Sequence, residues 1–166
     1  MRSRREVLGA LVGLSAALAA CGFEPLHRTT ERGSAAESLA AIRVEPIADR
    51  SGQVLRNYLL DRLTPLGSPA RAEYALRVRL QEPRQTLALR RDDVISRVGY
   101  SATASFELAD SGGRRVFSGT SSFSTDYEVT NSEFATLISA QNARDRVLEL
   151  VGDDIRNQLA AFLTRR

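Results

Sequence analysis

Two stretches in which apolar and polar residues alternate constrain the fold of this chain more than any other feature of its sequence. In residues 74–80 every second residue is apolar and most of those between are charged, and residues 100–108 repeat the pattern with Ala, Phe and Leu against Ser, Thr and Glu. Successive side chains of a strand point to opposite faces of a sheet, so both stretches predict strands with one buried face. Such strands are typical of an antiparallel sheet that is covered on one side only.

The sequence predicts one helix before these two strands and one after them. A short strand over residues 42–44 precedes a helix that begins around residues 49–52 and ends before Pro65. A second helix is predicted to begin at a capping box, Thr130 to Glu133, in which the Thr130 hydroxyl caps the helix. Its apolar residues are spaced for one helical face: Leu148, Val151, Ile155, Leu159 and Phe162.

A tight turn is predicted between the last two strands. Residues 110–113, Asp-Ser-Gly-Gly, predict a hairpin turn before a fourth strand over residues 114–127, in which Gly119 is expected to mark a bulge. The resulting order is β-α-β-β-β-α. It predicts an α+β fold, a two-layer sandwich of a mostly antiparallel four-stranded sheet with two helices on one face.

The first 21 residues have the parts of a bacterial export signal. A basic start is followed by an uncharged run over residues 7–20 and then by Ala19-Ala20-Cys21, which resembles a lipobox. The run is too short to cross a bilayer. We therefore predict removal of residues 1–20, acylation of Cys21 as the membrane anchor, a tether over residues 21–38 and one domain over residues 39–166. Gly22 after the cysteine favours the outer membrane, and the doubled arginine Arg4-Arg5 leaves general secretory (Sec) and twin-arginine export both open.

Charge and composition argue against several classes of function. The formal net charge of the 166 residues is +3, but residues 1–20 contain three arginines and one glutamate, so the mature chain carries about +1. This gives no reason to expect a nucleic-acid partner. The chain has one cysteine and one histidine, His27, which falls in the predicted tether. We therefore expect no metal site, no cofactor and no enzymatic activity.

Arginines are concentrated around the second and third predicted strands. They are Arg77, Arg79, Arg84, Arg90, Arg91 and Arg97. Because arginine pairs bidentately with phosphate, this group is a candidate binding surface for the phosphates of an anionic lipid. The same pattern also fits an ordinary solvent-facing sheet surface, since acidic residues are interleaved with the arginines.

Three short runs resemble one family. Residues 21–26 (Cys-Gly-Phe-Glu-Pro-Leu), residues 49–57 (Asp-Arg-Ser-Gly-Gln-Val-Leu-Arg-Asn) and residues 132–135 (Ser-Glu-Phe-Ala) are similar to the LptE family of lipopolysaccharide-assembly lipoproteins. The resemblance extends over essentially the whole mature chain, although His27 stands where the family often has an aromatic residue. It implies a β-α-β-β-β-α sandwich without enzymatic activity that sits as a plug inside the β-barrel partner LptD.

The function that this resemblance implies is lipopolysaccharide transport. The lipoprotein would be held on the periplasmic side of the outer membrane by acylated Cys21, help to assemble the barrel and help to deliver lipopolysaccharide to the outer leaflet. The six arginines are then candidates for lipopolysaccharide binding. The alternative is an auxiliary lipoprotein of a phospholipid-type ABC transport system, and an anchored hydrolase is disfavoured because no histidine base is available.

Overall fold

A computed structural model describes residues 35–65, 67, 69, 71–82, 90–91, 94–95 and 97–165, with residues 35, 36, 90, 91, 94 and 95 described by their backbone alone. The predicted signal, Cys21, His27 and Arg84 lie outside these residues. The division into signal, tether and domain therefore stays a prediction.

Three helices and six strands are found in the described part of the chain. They are α1 (Ala35–Ala40), β1 (Ile42–Val44), α2 (Asp49–Leu63), β2 (Tyr74–Gln81), β3 (Arg90–Arg91), β4 (Val94–Ile95), β5 (Arg97–Asp110), β6 (Arg115–Glu128) and α3 (Glu133–Thr164). The main sheet has the order β1-β2-β5-β6, and β3 and β4 form a separate small hairpin. Strand β1 runs parallel to β2, and the other neighbours are antiparallel. The predicted α+β class and mostly antiparallel four-stranded sheet are confirmed, and the parallel pair follows from the crossover through α2.

The predicted faces of the strands and of the last helix are found in the core. Strand β5 buries alternate residues from Ala102 to Leu108, and β2 buries Leu76 and Val78 on the same side. In α3 the predicted face lies against them: Leu148, Val151, Ile155 and Leu159 are fully buried, and Phe162 is partly buried. The rings of Phe162 and Phe117 stack with their centroids 4.7 Å apart. One face of the sheet is therefore covered by helices, and the other is left to polar side chains.

Helix α1 was absent from the predicted order. It begins within the segment predicted as a tether, and its Leu39 is 4% exposed and packs into the core. A single apolar residue gives no helical period, so the sequence carries no signal for this helix.

The predicted helix cap at Thr130 is wrong. The N-cap of α3 is Ser132, whose hydroxyl accepts a hydrogen bond from the amide of Ala135 (3.3 Å). Thr130 instead donates from its hydroxyl to the Ser132 carbonyl oxygen and from its amide to the Thr136 hydroxyl. Both positions carry residues that favour capping, and the one adjacent to the first helical turn caps the helix.

The predicted bulge at Gly119 is also wrong. Gly119 pairs regularly with Phe106, and the irregularity lies nearer the turn, where Leu108 pairs with Phe117 and Ala109 with Arg115. A Cβ atom on Gly119 would lie 2.6 Å from both the Phe106 ring and the Gln158 side chain. The glycine is needed because a ring and a helix side chain approach the backbone closely there.

The predicted hairpin turn at residues 110–113 is confirmed. Gly113 has a φ of +78°, and the Asp110 carboxylate accepts hydrogen bonds from the amides of Gly112 (3.0 Å) and Arg114 (2.9 Å). The Arg114 amide and guanidinium hold the pKa of Asp110 below its ordinary value. The turn thus fixes the start of β6 relative to β5, which determines the side chains that meet on the open face of the sheet.

Candidate functional site

The open face of the sheet carries a row of cationic and hydroxyl side chains. Arg77 and Arg79 project from β2 on the side opposite the buried Leu76 and Val78. The strand register aligns Arg77 with Glu107 and then Ser118, and it aligns Arg79 with Ser105 and then Thr120. These cross-strand rows form an open groove of about 430 Å³, here called the sheet-face groove, to which Arg115 also contributes.

Two of the three arginines in the groove are paired with glutamates. The Arg77 Nε donates to Glu45 Oε2 (2.9 Å), and Arg115 Nη1 donates to Glu107 Oε1 (3.1 Å). The bond to Glu45 raises the pKa of Arg77 above its ordinary value. Both pairs are solvent exposed, so they contribute little to stability and can exchange partners readily.

Arg79 differs from its two neighbours. It is exposed and has no ion-pair partner among the residues that the structure describes. The residues beside it in the groove, Ser105 and Thr120, carry hydroxyl groups. Three arginines and one glutamate line the groove, and Glu45, which bonds to Arg77 from outside it, brings the net charge of these residues to +1. A guanidinium next to a row of hydroxyls is a suitable place for a phosphate oxygen.

The six arginines proposed from the sequence do not form one patch. Arg77 and Arg79 lie together in the sheet-face groove, whereas Arg97 lies eight residues before Ser105 on β5, about 27 Å along the strand. Arg97 is near Glu128 there (3.7 Å). Arg90 and Arg91 form β3, where their backbones pair with Ile95 and Val94. The position of Arg84 lies outside the described residues.

Sequence reasoning missed Arg115. It lies on the far side of the hairpin turn from the arginine cluster along the chain, and the β5–β6 pairing with its shift at Ala109 brings it to Glu107. The turn signal at residues 110–113 could have found it, since folding the hairpin places the first residues of β6 beside the last residues of β5.

The described part of the chain contains neither a candidate metal site nor a candidate membrane span. No group of three or more His, Cys, Asp or Glu side chains is placed to hold a metal ion. Within the described ranges, no helix has the length and apolar character to cross a bilayer.

The fold is a small α+β domain with helices on one face of the sheet, and three solved structures of proteins described as lipoproteins share it. A Caulobacter crescentus protein described as a lipoprotein has 23% identity, a TM-score of 0.66, and an alignment that covers 80% of this chain and 97% of its own. A minor lipoprotein from Acinetobacter baumannii has 19% identity and a TM-score of 0.59, with 72% and 90% covered. Rare lipoprotein B from Shewanella oneidensis has 14% identity and a TM-score of 0.57, with 75% and 96% covered. At these identities the likeness concerns the fold.

The family follows from the sequence itself. Residues 39–166 match the family model described as LptE, lipopolysaccharide-assembly. The chain belongs to the LptE family, as the runs at residues 49–57 and 132–135 indicated. No curated protein sequence matches it.

Proposed function

We propose that this protein is an outer-membrane lipoprotein, acylated on Cys21, that acts as plug and assembly partner of an LptD-like β-barrel in lipopolysaccharide transport. Membership of a lipopolysaccharide-assembly family supports the process. The polar open face of the sheet supports the partner, because the lumen of a large outer-membrane barrel is itself polar. The acyl chains on Cys21 would hold the domain on the periplasmic side of the outer membrane.

The observation that carries the proposal is the exposed Arg79, which has no ion-pair partner among the described residues and stands at the end of a row with Ser105 and Thr120 in the sheet-face groove. Arg77 and Arg115 lie on the side of Arg79 that faces the hairpin turn, and each is bound to a single glutamate. A lipid A phosphate that enters the groove would bind Arg79 first and then compete with the glutamates for the other two arginines. In this way the groove would replace divalent cations that bridge neighbouring lipopolysaccharides. Arg84, Arg90, Arg91 and Arg97 stay candidates for a second contact.

The test of lipid binding is a charge reversal at Arg79. We expect Arg79→Glu to weaken lipopolysaccharide binding at least about tenfold, since a charge-assisted hydrogen bond contributes about 1.5–3 kcal/mol. The matched control is Arg146→Glu, an exposed arginine on the helix side of the molecule. The pair Arg90→Glu and Arg91→Glu tests the second contact in the same assay. Equal effects of Arg79→Glu and the control would remove the groove from the mechanism.

The test of the partner is affinity purification of the tagged full chain from membranes. We expect an outer-membrane β-barrel to co-purify, and Cys21→Ser to lose the membrane association of the chain. Recovery of an inner-membrane transporter complex in place of the barrel would contradict the proposal and favour an auxiliary transport lipoprotein.

A further inference from the structure

We infer that the outer edge of β6 pairs with the same edge of a second copy of this chain, in antiparallel orientation around a two-fold axis. Strand β6 is the last strand in the order β1-β2-β5-β6, and among the described strands it pairs only with β5. Its other side is here called the β6 edge. The inference does not rest on the proposed function, because it concerns the chain before it meets a barrel.

The β6 edge offers a long row of backbone groups to another strand. Strand β6 has 14 residues, whereas the opposite edge of the sheet is formed by β1, which has three. One side chain of the described residues bonds to the backbone of β6: Gln158 of α3 donates to the Thr120 carbonyl oxygen (3.2 Å). An edge strand presents unpaired N–H and C=O groups, and a long edge with so little protection binds a further strand.

The charges of β6 make the strand complementary to itself. Arg114 and Arg115 stand at its start, and Asp126 and Glu128 stand at its end. In an antiparallel pair the start of one strand lies beside the end of the other, so arginines meet carboxylates at both ends of the pair. A parallel pair would place like charges side by side. The pattern therefore favours a second copy of β6 as the strand that pairs with this edge.

The charged side chains at the two ends are available for such contacts. Asp126 is exposed and has no ion-pair partner among the residues that the structure describes. Arg115 bonds to Glu107 (3.1 Å), and Glu128 lies 3.7 Å from Arg97. Both of these pairs are exposed to solvent, so exchanging one carboxylate for another costs little.

The two faces of the sheet restrict the register of the pair. Exposed residues alternate with more buried ones over residues 117–128, and a continuous sheet keeps the exposed residues of both copies on one face. The two-fold axis therefore passes through a residue, and Ser121 and Ser122 are the residues nearest the middle of β6. Because the strand has one extra residue at its irregularity near the turn, either axis places Arg115 opposite or diagonal to Asp126 of the other copy.

Helix α3 adds an apolar contact along the same edge. Leu150, Asp154 and Gln158 are spaced four residues apart, so they share one face of the helix. Since Gln158 reaches the Thr120 carbonyl oxygen, this face lies along β6. Leu150 is 42% exposed. Pairing of two β6 edges brings this face of both helices toward the two-fold axis and covers apolar surface that the single copy leaves in solvent.

The first test measures self-association of residues 21–166 with Cys21→Ser, which removes the acyl groups. Sedimentation should show a mass that rises with concentration and reaches two copies. Cross-linking with a short bismaleimide then reports the orientation. Ser122→Cys should cross-link to its own copy, because either axis places the two Cα atoms about 5–8 Å apart. Ser118→Cys is the matched control: its two copies lie about 20–27 Å apart in the antiparallel pair and should not cross-link.

The second test exchanges the charges. Arg115→Glu alone and Asp126→Arg alone should each raise the dissociation constant of the dimer at least about fivefold, because each change replaces two equivalent attractions with repulsions. The double variant should recover most of the affinity, since the new carboxylate of one copy meets the new arginine of the other. Arg50→Glu on α2, which lies away from β6, is the control and should leave the constant unchanged.

Three results would overturn the inference: a chain that stays monomeric at every concentration, a cross-link at Ser118→Cys as strong as that at Ser122→Cys, or no recovery in the double charge variant. Lipopolysaccharide binding at Arg79 and purification of a barrel partner are separate measurements. Their failure would leave the dimer in place, and a monomeric chain would leave both of them in place.

Discussion

The two halves of α3 belong to one continuous helix and have opposite environments. In the C-terminal half, Leu148, Val151 and Ile155 are completely buried. In the N-terminal half, Phe134 and Leu137 are more than 60% exposed. Both halves are helical, but being helical does not determine what covers their apolar side chains.

The difference comes from the unequal lengths of the elements around α3. Strands β5 and β6 and helix α3 are long, with 14, 14 and 32 residues, whereas β2 has 8 residues and β1 has 3. Strand β2 pairs with β5 only over residues 103–110. The four-stranded core therefore supports the C-terminal half of α3, and the N-terminal half lies over a two-stranded extension. A protein that must bind a partner or a lipid can leave apolar surface free in such a half without weakening its core.

The largest expected effect is in the buried half. Leu148→Ala should lower the free energy of unfolding by about 2–5 kcal/mol, because it removes a fully buried side chain and leaves a cavity. Urea unfolding followed by circular dichroism measures this. A loss under about 1 kcal/mol would mean that the C-terminal half of α3 is not packed as described.

A smaller effect is expected where α3 approaches β6. Gly119→Ala places a Cβ atom 2.6 Å from the Phe106 ring and from Gln158, so it should destabilise the fold by about 1–3 kcal/mol through overpacking. The exposed neighbour Ser118→Ala is the control and should change stability by less than about 0.5 kcal/mol. If Gly119→Ala matched that control, the close approach of α3 to β6 would be contradicted. Part of the loss from Gly119→Ala comes from the contact with the Phe106 ring. The same substitution should therefore cost less when it is measured in a Phe106→Leu background.

The contact between α2 and α3 should contribute less. Arg62 bonds to Glu149 (2.8 Å) and to Asp153, and its guanidinium carbon lies 5.5 Å from the centre of the Tyr58 ring. We expect Arg62→Met to destabilise the fold by about 1 kcal/mol, because both carboxylates are about half exposed. The difference from wild type should shrink in 1 M salt, and Arg146→Met should show no comparable loss. A loss that is independent of salt would indicate packing in place of the ion pairs.

The smallest effect completes the comparison with the buried half. Leu137→Ala is the same substitution as Leu148→Ala on the same helix, but it should change the free energy of unfolding by less than about 0.5 kcal/mol, because the side chain is 63% exposed. The same unfolding experiment compares the two. A loss similar to that of Leu148→Ala would show that Leu137 is covered in solution, and the contrast between the halves would fail.

Much of the fold was predictable because it depends on local periodicity. The alternation in residues 100–108 identified the buried face of β5, and the Asp110–Gly113 turn was found where its residues predicted it. The helix ending before Pro65 was also correct. Each of these signals lies within one element, where side-chain direction follows from the backbone geometry.

The errors concern positions at which two elements meet. The sequence predicted a bulge at Gly119, but a glycine is needed there because the Phe106 ring of β5 and the Gln158 side chain of α3 approach its backbone. The cap at Thr130 failed because Ser132 competes for the same role two residues later. In the candidate site, the sequence grouped Arg97 with Arg77 and did not include Arg115, because only the β5–β6 register determines which arginines share a groove.

The sequence by itself determined the class of fold, the buried faces of the strands and of the last helix, and the family. These properties follow from residue spacing and from short runs of sequence, which are local. Only the tertiary structure decided which arginines meet on the open face and which half of α3 is left uncovered. Those properties depend on strand register and on the relative lengths of elements far apart in the chain, which no local pattern encodes.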